Sequence, residues 1–155
     1  MDFTLDTFAS ECRKILTADP SPVGRGKVRD LVQEVLKDEK FLTTYLNENT
    51  PDRQVLYEDP ELGFCICAHL NRDAREANPH DHGSSWAIYG QAFGETEMSD
   101  WEIVEAAAEG QPAQRARARQ LIDPDVGLGA AVDFNGDLPA IGREARVAER
   151  RGREF

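Results

Sequence analysis

The residues best suited to hold a metal ion are two histidines, His80 and His82, in the stretch ANPHDHGSSWAIYGQAFGETE. One residue, Asp81, separates them at the start of a segment with strand character. Because successive side chains of a strand point to opposite faces, the two imidazoles share a face and could bind one divalent ion at about 2.0–2.2 Å. A second interpretation stays open on spacing alone, in which both are loop histidines that bind backbone groups or meet solvent.

The composition predicts a single soluble domain. The chain has 155 residues, of which 40% are hydrophobic and 30% charged. Acidic residues outnumber basic ones by 29 to 18, and the net charge of −11 disfavours nucleic acid and anionic membranes as partners. No apolar run approaches the ~20 residues of a membrane-spanning helix. The acidic, amphipathic opening MDFTLDTFASECRK favours a protein without a secretion leader.

The three cysteines, Cys12, Cys65 and Cys67, lack the spacing of a zinc site. Cys65 and Cys67 alternate within an apolar run, so we expect them on one face of a strand. Buried free thiols are common in reduced compartments. We therefore interpret all three as core residues of a cytoplasmic protein.

Apolar periodicity divides the chain into a helical segment, residues 1–50, and a strand-rich part, residues 51–155, within one domain. The stretch QVLYEDPELGFCICAHL predicts a hairpin, and Gly90 and Gly94 are expected to bound a tight turn between two further strands. Short strands with glycine turns after helices are typical of an antiparallel sheet that closes into a sandwich or barrel. Residues 110–155 form a weakly patterned, arginine-rich tail.

From about residue 50 to 105 the sequence resembles the cupin superfamily, and within it the bacterial branch of the cysteine dioxygenase-like thiol dioxygenases. The resemblance rests on His80, His82 and Gly90, and on LYEDPELGFCICAHL ahead of PHDHGSSWAIYGQAFGETEMSDW. It implies a mainly β fold, a cupin jelly-roll barrel with N-terminal α-helices. It also implies an oxidoreductase with Fe(II) on three neutral histidines, which leave positions open for a small amino-thiol or mercapto acid and for dioxygen. The product would be a sulfinate.

The third histidine that the resemblance implies has no match. The segment NGDLPAI aligns there and offers Pro139, which has no side-chain donor. Three interpretations stay open: residues 110–155 are a diverged or truncated tail, a carboxylate such as Asp137 or Asp133 completes the site, or the protein is a non-catalytic cupin for small-molecule binding or interaction. His69 is a further candidate ligand. We expect Fe(II) to be held weakly.

The resemblance also implies substrate-binding residues. The family has an arginine near the position of Arg53 that holds the substrate carboxylate by a two-pronged salt bridge, so the resemblance assigns this role to Arg53. A solvated Arg53 without this role is an equal alternative. Trp86 and Tyr89 are interpreted mainly as packing residues, one of which walls the pocket. The expected partners are a small-molecule thiol acid and dioxygen, with no nucleic acid and no membrane, and the chain is expected to be a monomer or homodimer.

Overall fold

A computed structural model of the chain describes residues 2–70, 72, 85–105, 115–122, 131–134 and 143–148. Three helices come first: α1 (Leu5–Ala18), α2 (Pro22–Val35) and α3 (Glu39–Tyr45). The strands of the described residues follow: β1 (Arg53–Glu58), β2 (Cys65–His69), β3 (Ala87–Gly90), β4 (Glu95–Glu105), β5 (Arg115–Ile122), β6 (Ala131–Phe134) and β7 (Arg143–Ala148). Within these residues no helix is both long and apolar enough to cross a membrane.

Each helix begins at a residue whose side chain accepts a hydrogen bond from the first turn. Thr4 and Thr7 form a capping box at α1, and Ser21 caps α2 just before a proline in its first turn. The Asp38 carboxylate accepts from the backbone N–H of Phe41 at 3.0 Å and from that of Phe3 at 2.8 Å. These two backbone donors hold the pKa of Asp38 below its ordinary value, since they favour the charged form. Asp38 thus starts α3 and ties it to the N-terminal residues.

The buried core lies between the helices and the first strands. Phe8, Cys12 and Leu16 recur every four residues on one face of α1 and are buried. Phe8 meets the ring of Phe41 edge to face, with the ring centroids 6.0 Å apart. Apolar residues of the strand region pack against this cluster: Phe64, Ile66, Trp86 and Ile88. The helices therefore cover one side of the strands.

Strands β1 and β2 form an antiparallel hairpin. Arg53 pairs with His69 at its open end, and a bulge lies between Val55 and Tyr57. Asp59 anchors the connecting turn, and Gly63 adopts a φ of 70°, which favours glycine. The hairpin predicted from the sequence is therefore present.

The remaining strands of the described residues form two further sheets. Strand β3 pairs with β6, and β4 lies between β5 and β7. Strands β3 and β6 both contact α2. Strand β3 ends at Gly90 and β4 begins after Gly94, but these two strands are not paired with each other. The glycine-bounded turn thus joins two sheets and is not the tip of a hairpin.

The predicted cupin jelly-roll barrel is wrong. In the part of the chain that the structure describes, the strand orders are β1–β2, β3–β6 and β5–β4–β7, and none of these sheets closes on itself. Helices occupy the first part of the chain and line the sides of β1 and β3. The alternation of apolar residues correctly marked strands, but it carries no information on which strand pairs with which.

Candidate functional site

The chemically versatile side chains of the described residues collect on one side of the β1–β2 hairpin. Along β2, Ile66 packs against the helical core, and Ala68 on the same face is only 3% exposed. Cys65, Cys67 and His69 alternate with these two residues and point the other way, because successive side chains of a strand point to opposite faces. We call this side the outer hairpin face and define it by four residues, Arg53, Cys65, Cys67 and His69.

The two thiols of the outer hairpin face touch each other. The Cys67 S–H donates to Cys65 Sγ at a sulfur–sulfur distance of 3.6 Å. Burial raises the pKa of Cys67, and the neighbouring Cys65 raises it further, while the Arg53 guanidinium acts in the opposite direction. The net shift in the pKa of Cys67 is upward, so the Cys67 thiol is protonated at neutral pH.

The cysteines are only partly where the sequence predicted. Cys12 is buried, and burial raises its pKa to about 12, so it is an unreactive core residue. Cys65 and Cys67 share a face as expected, but Cys65 is exposed and Cys67 half-buried. Their interpretation as core residues is wrong, because the helices cover the opposite side of the hairpin.

The predicted metal ligands fall mainly outside the described residues. This is so for His80, His82, Asp137 and Pro139. Asp133 lies in β6, where its backbone pairs with Ile88 of β3. Across the residues that the structure describes, no group of three His, Cys, Asp or Glu side chains is placed to hold a metal ion.

The predicted substrate-binding residues lie in two different sheets. Arg53 is the exposed first residue of β1 and is paired with His69 across the hairpin. Trp86, just before β3, packs against the helical core, and Tyr89 within β3 is 39% exposed. The β1–β2 hairpin brings Arg53 together with Cys67 and His69. Tyr89 lies in the separate β3–β6 sheet, and Trp86 lies just before β3.

A buried carboxylate that the sequence did not single out joins α1 to the hairpin turn. The side chain of Asp59 is fully buried and accepts from Arg13 Nε at 2.7 Å and from the Tyr57 hydroxyl at 3.1 Å. The backbone N–H groups of Glu61 and Leu62 donate to its other oxygen at 3.0 and 2.8 Å.

The surroundings of Asp59 favour its charged form. Burial alone would raise its pKa, but the two backbone donors, Arg13 and Tyr57 outweigh burial, and the pKa lies below its ordinary value. With both oxygens already bonded, this carboxylate has a structural role. The signal in the sequence was the Asp59-Pro60 turn, which does not reveal the distant Arg13.

Comparisons with known proteins add no relative. No family model matches the chain, and neither a curated protein nor a solved structure does. Function is therefore inferred from the outer hairpin face and from the spacing of His80 and His82.

Proposed function

We propose that the protein oxidises a small thiol acid with dioxygen at a ferrous ion held by His80 and His82. The activity is that of the thiol dioxygenases which residues 50–105 resemble. The thiol and one dioxygen molecule give a sulfinic acid, so both oxygen atoms end on sulfur and sulfur supplies the four electrons that dioxygen gains. The bound ion would supply the positions at which thiolate and dioxygen meet.

The position of Arg53 is the observation that supports this proposal. Its backbone is in register with His69, and the Leu70 N–H donates to the Asp52 carbonyl at 2.9 Å, which closes the open end of the hairpin. In the sequence, His80 and His82 follow this end of the hairpin by about ten residues. An exposed guanidinium there can take the carboxylate of a small acid by two parallel hydrogen bonds.

The donor types suit ferrous iron. Two neutral imidazoles add no negative charge to the ion, which leaves its charge to attract a thiolate and reduced dioxygen. Two ligands hold an ion less firmly than three, so weak binding is part of the proposal.

The proposed surroundings follow from charge and thiol chemistry. A net charge of −11 disfavours nucleic acid and anionic membranes as partners. The cysteines of the described residues are free thiols, as is usual in reduced compartments, so we propose a cytoplasmic protein. We propose that it is a monomer or homodimer whose partners are a thiol acid and dioxygen.

Replacing His80 or His82 with alanine should lower ferrous iron binding at least about tenfold, because losing a direct ligand matters no less than losing a group that orients one. Iron per chain is measured after anaerobic loading and desalting. The matched control is Asp81→Asn, whose side chain is predicted on the opposite face and which should leave iron binding unchanged. An equal amount of iron per chain in the wild type and in both histidine variants would refute the proposal. If the protein binds thiol acids but consumes no oxygen, the non-catalytic alternative is favoured.

The change Arg53→Lys should raise the concentration of thiol acid needed for half-maximal oxygen consumption about tenfold. A lysine ammonium is a point charge and cannot reproduce the two parallel bonds of a guanidinium. The matched control is Arg29→Lys on the exposed surface of α2, where Arg29 pairs with Asp30 at 2.6 Å. An unchanged dependence on thiol concentration in Arg53→Lys would remove Arg53 from the substrate site.

A further inference from the structure

We propose that Cys65 and Cys67 form a dithiolate site for a soft monovalent cation, Cu(I). The site lies on the outer hairpin face, and its metal ligands differ from those of the proposed ferrous site, because it uses thiolates and no imidazole. Thiolates are the ligands that Cu(I) selects among protein side chains.

The spacing of the two sulfurs is slightly shorter than the span of a metal ion bound between them. They are 3.6 Å apart in the free dithiol. With metal–sulfur bonds of about 2.3 Å, two thiolates lie about 3.8 Å apart at a tetrahedral angle and about 4.6 Å apart when the ion is linear between them. The cysteine side chains must therefore rotate apart, by about 1 Å between the sulfurs for a linear ion, to admit it.

Access and charge also favour the site. Cys65 is exposed and Cys67 half-buried, so an ion or its carrier can reach the sulfurs from solvent. Binding releases both thiol protons and leaves a complex of two thiolates and one Cu(I) with a charge of −1. The Arg53 guanidinium, which interacts with Cys67, supplies the compensating positive charge.

The coordination number selects the ion. Zinc needs four ligands in a structural site, whereas this pair offers two thiolates. Cu(I) is satisfied by two thiolates. The pair is thus better suited to Cu(I) than to zinc.

The test is an anaerobic titration of the full chain with Cu(I) in competition with a coloured chelator. The thiolate-to-copper charge-transfer absorption in the ultraviolet monitors binding to the protein. We expect one ion per chain and protection of Cys65 and Cys67 from alkylation. Cys65→Ser and Cys67→Ser should each weaken binding at least about tenfold and abolish the absorption band. Both side chains lie on the outer hairpin face, so folding, checked by circular dichroism, should persist; Cys65→Ala and Cys67→Ala repeat the test.

Two controls separate this site from the others. Cys12→Ala removes the buried thiol and should leave the titration unchanged. The double variant His80→Ala with His82→Ala should keep the absorption band even when it has lost iron. Copper that survives in both cysteine variants, or that disappears with the two histidines, would overturn the dithiolate site, whereas failure of iron loading alone would concern only the proposed dioxygenase.

Discussion

Replacing Gly24 with alanine is expected to destabilise the protein by at least about 2 kcal/mol, because the new methyl group has no room. A Cβ atom at this position would lie 1.7 Å from the carbonyl oxygen of Asp19 and 2.8 Å from its carbonyl carbon. Those are backbone atoms at the end of α1, so they cannot rotate away as a side chain could. The start of α2 would have to move off α1, and the core between the two helices would open.

The same substitution at Gly26 serves as the matched control and should have the opposite sign. A Cβ atom there meets nothing within 4 Å. Alanine in the interior of a helix is favoured over glycine by about 1 kcal/mol, so Gly26→Ala should stabilise α2 by up to that amount. The free energy of unfolding is measured for the three proteins by urea titration with circular dichroism. A Gly24→Ala protein as stable as the wild type would disprove the close approach of Gly24 to the Asp19 carbonyl.

Replacing Asp59 with alanine should lower Tm by about 10 °C, because the change leaves several buried donors without an acceptor. The carboxylate now binds Arg13, the Tyr57 hydroxyl and two backbone N–H groups of the turn. Thermal unfolding followed by circular dichroism measures the loss. Glu61→Ala is the matched control: Glu61 reaches the same Arg13 at 3.4 Å, but its side chain is 76% exposed, so Tm should hardly change.

The contribution of Asp59 should also depend on pH in a defined direction. Its pKa in the folded protein is below the ordinary value of 3.8, so ionisation stabilises the fold above that value. This stabilisation is lost as the pH falls through the lower, folded pKa. The difference in unfolding free energy between the wild type and Asp59→Asn should therefore be constant near neutral pH and shrink below about pH 4. A difference that grows on acidification would contradict the assignment.

The two proposed sites can be assigned separately because their donors differ. Imidazoles suit iron, whereas a thiolate pair selects a softer ion. Arg53 is common to both proposals, as an anchor for a carboxylate and as a counter-charge to bound copper. Copper at the outer hairpin face should therefore compete with a thiol acid for Arg53.

The sequence by itself determined the local structure. Thr4 with Thr7, Ser21 before Pro22, and Asp38 mark the helix starts that the structure contains, since a cap needs only residues within one turn. The hairpin was equally predictable, because its turn and its strands are adjacent in the chain. Alternation likewise placed Cys65 and Cys67 on one face.

Only the tertiary structure decided which face is covered and which strands meet. Period-two alternation indicates only that a strand has two faces. In the structure the face with Ile66 and Ala68 is the covered one, and Cys65 and Cys67 lie on the other. The pairing of β3 with β6 joins segments that are distant in sequence, and such pairing depends on which surfaces bury one another. The expected barrel was wrong for this reason. The ion pair between Arg13 and Asp59 could not be predicted for the same reason. Arginine and aspartate are ordinary surface residue types, and they meet in a buried contact only because α1 packs against the hairpin.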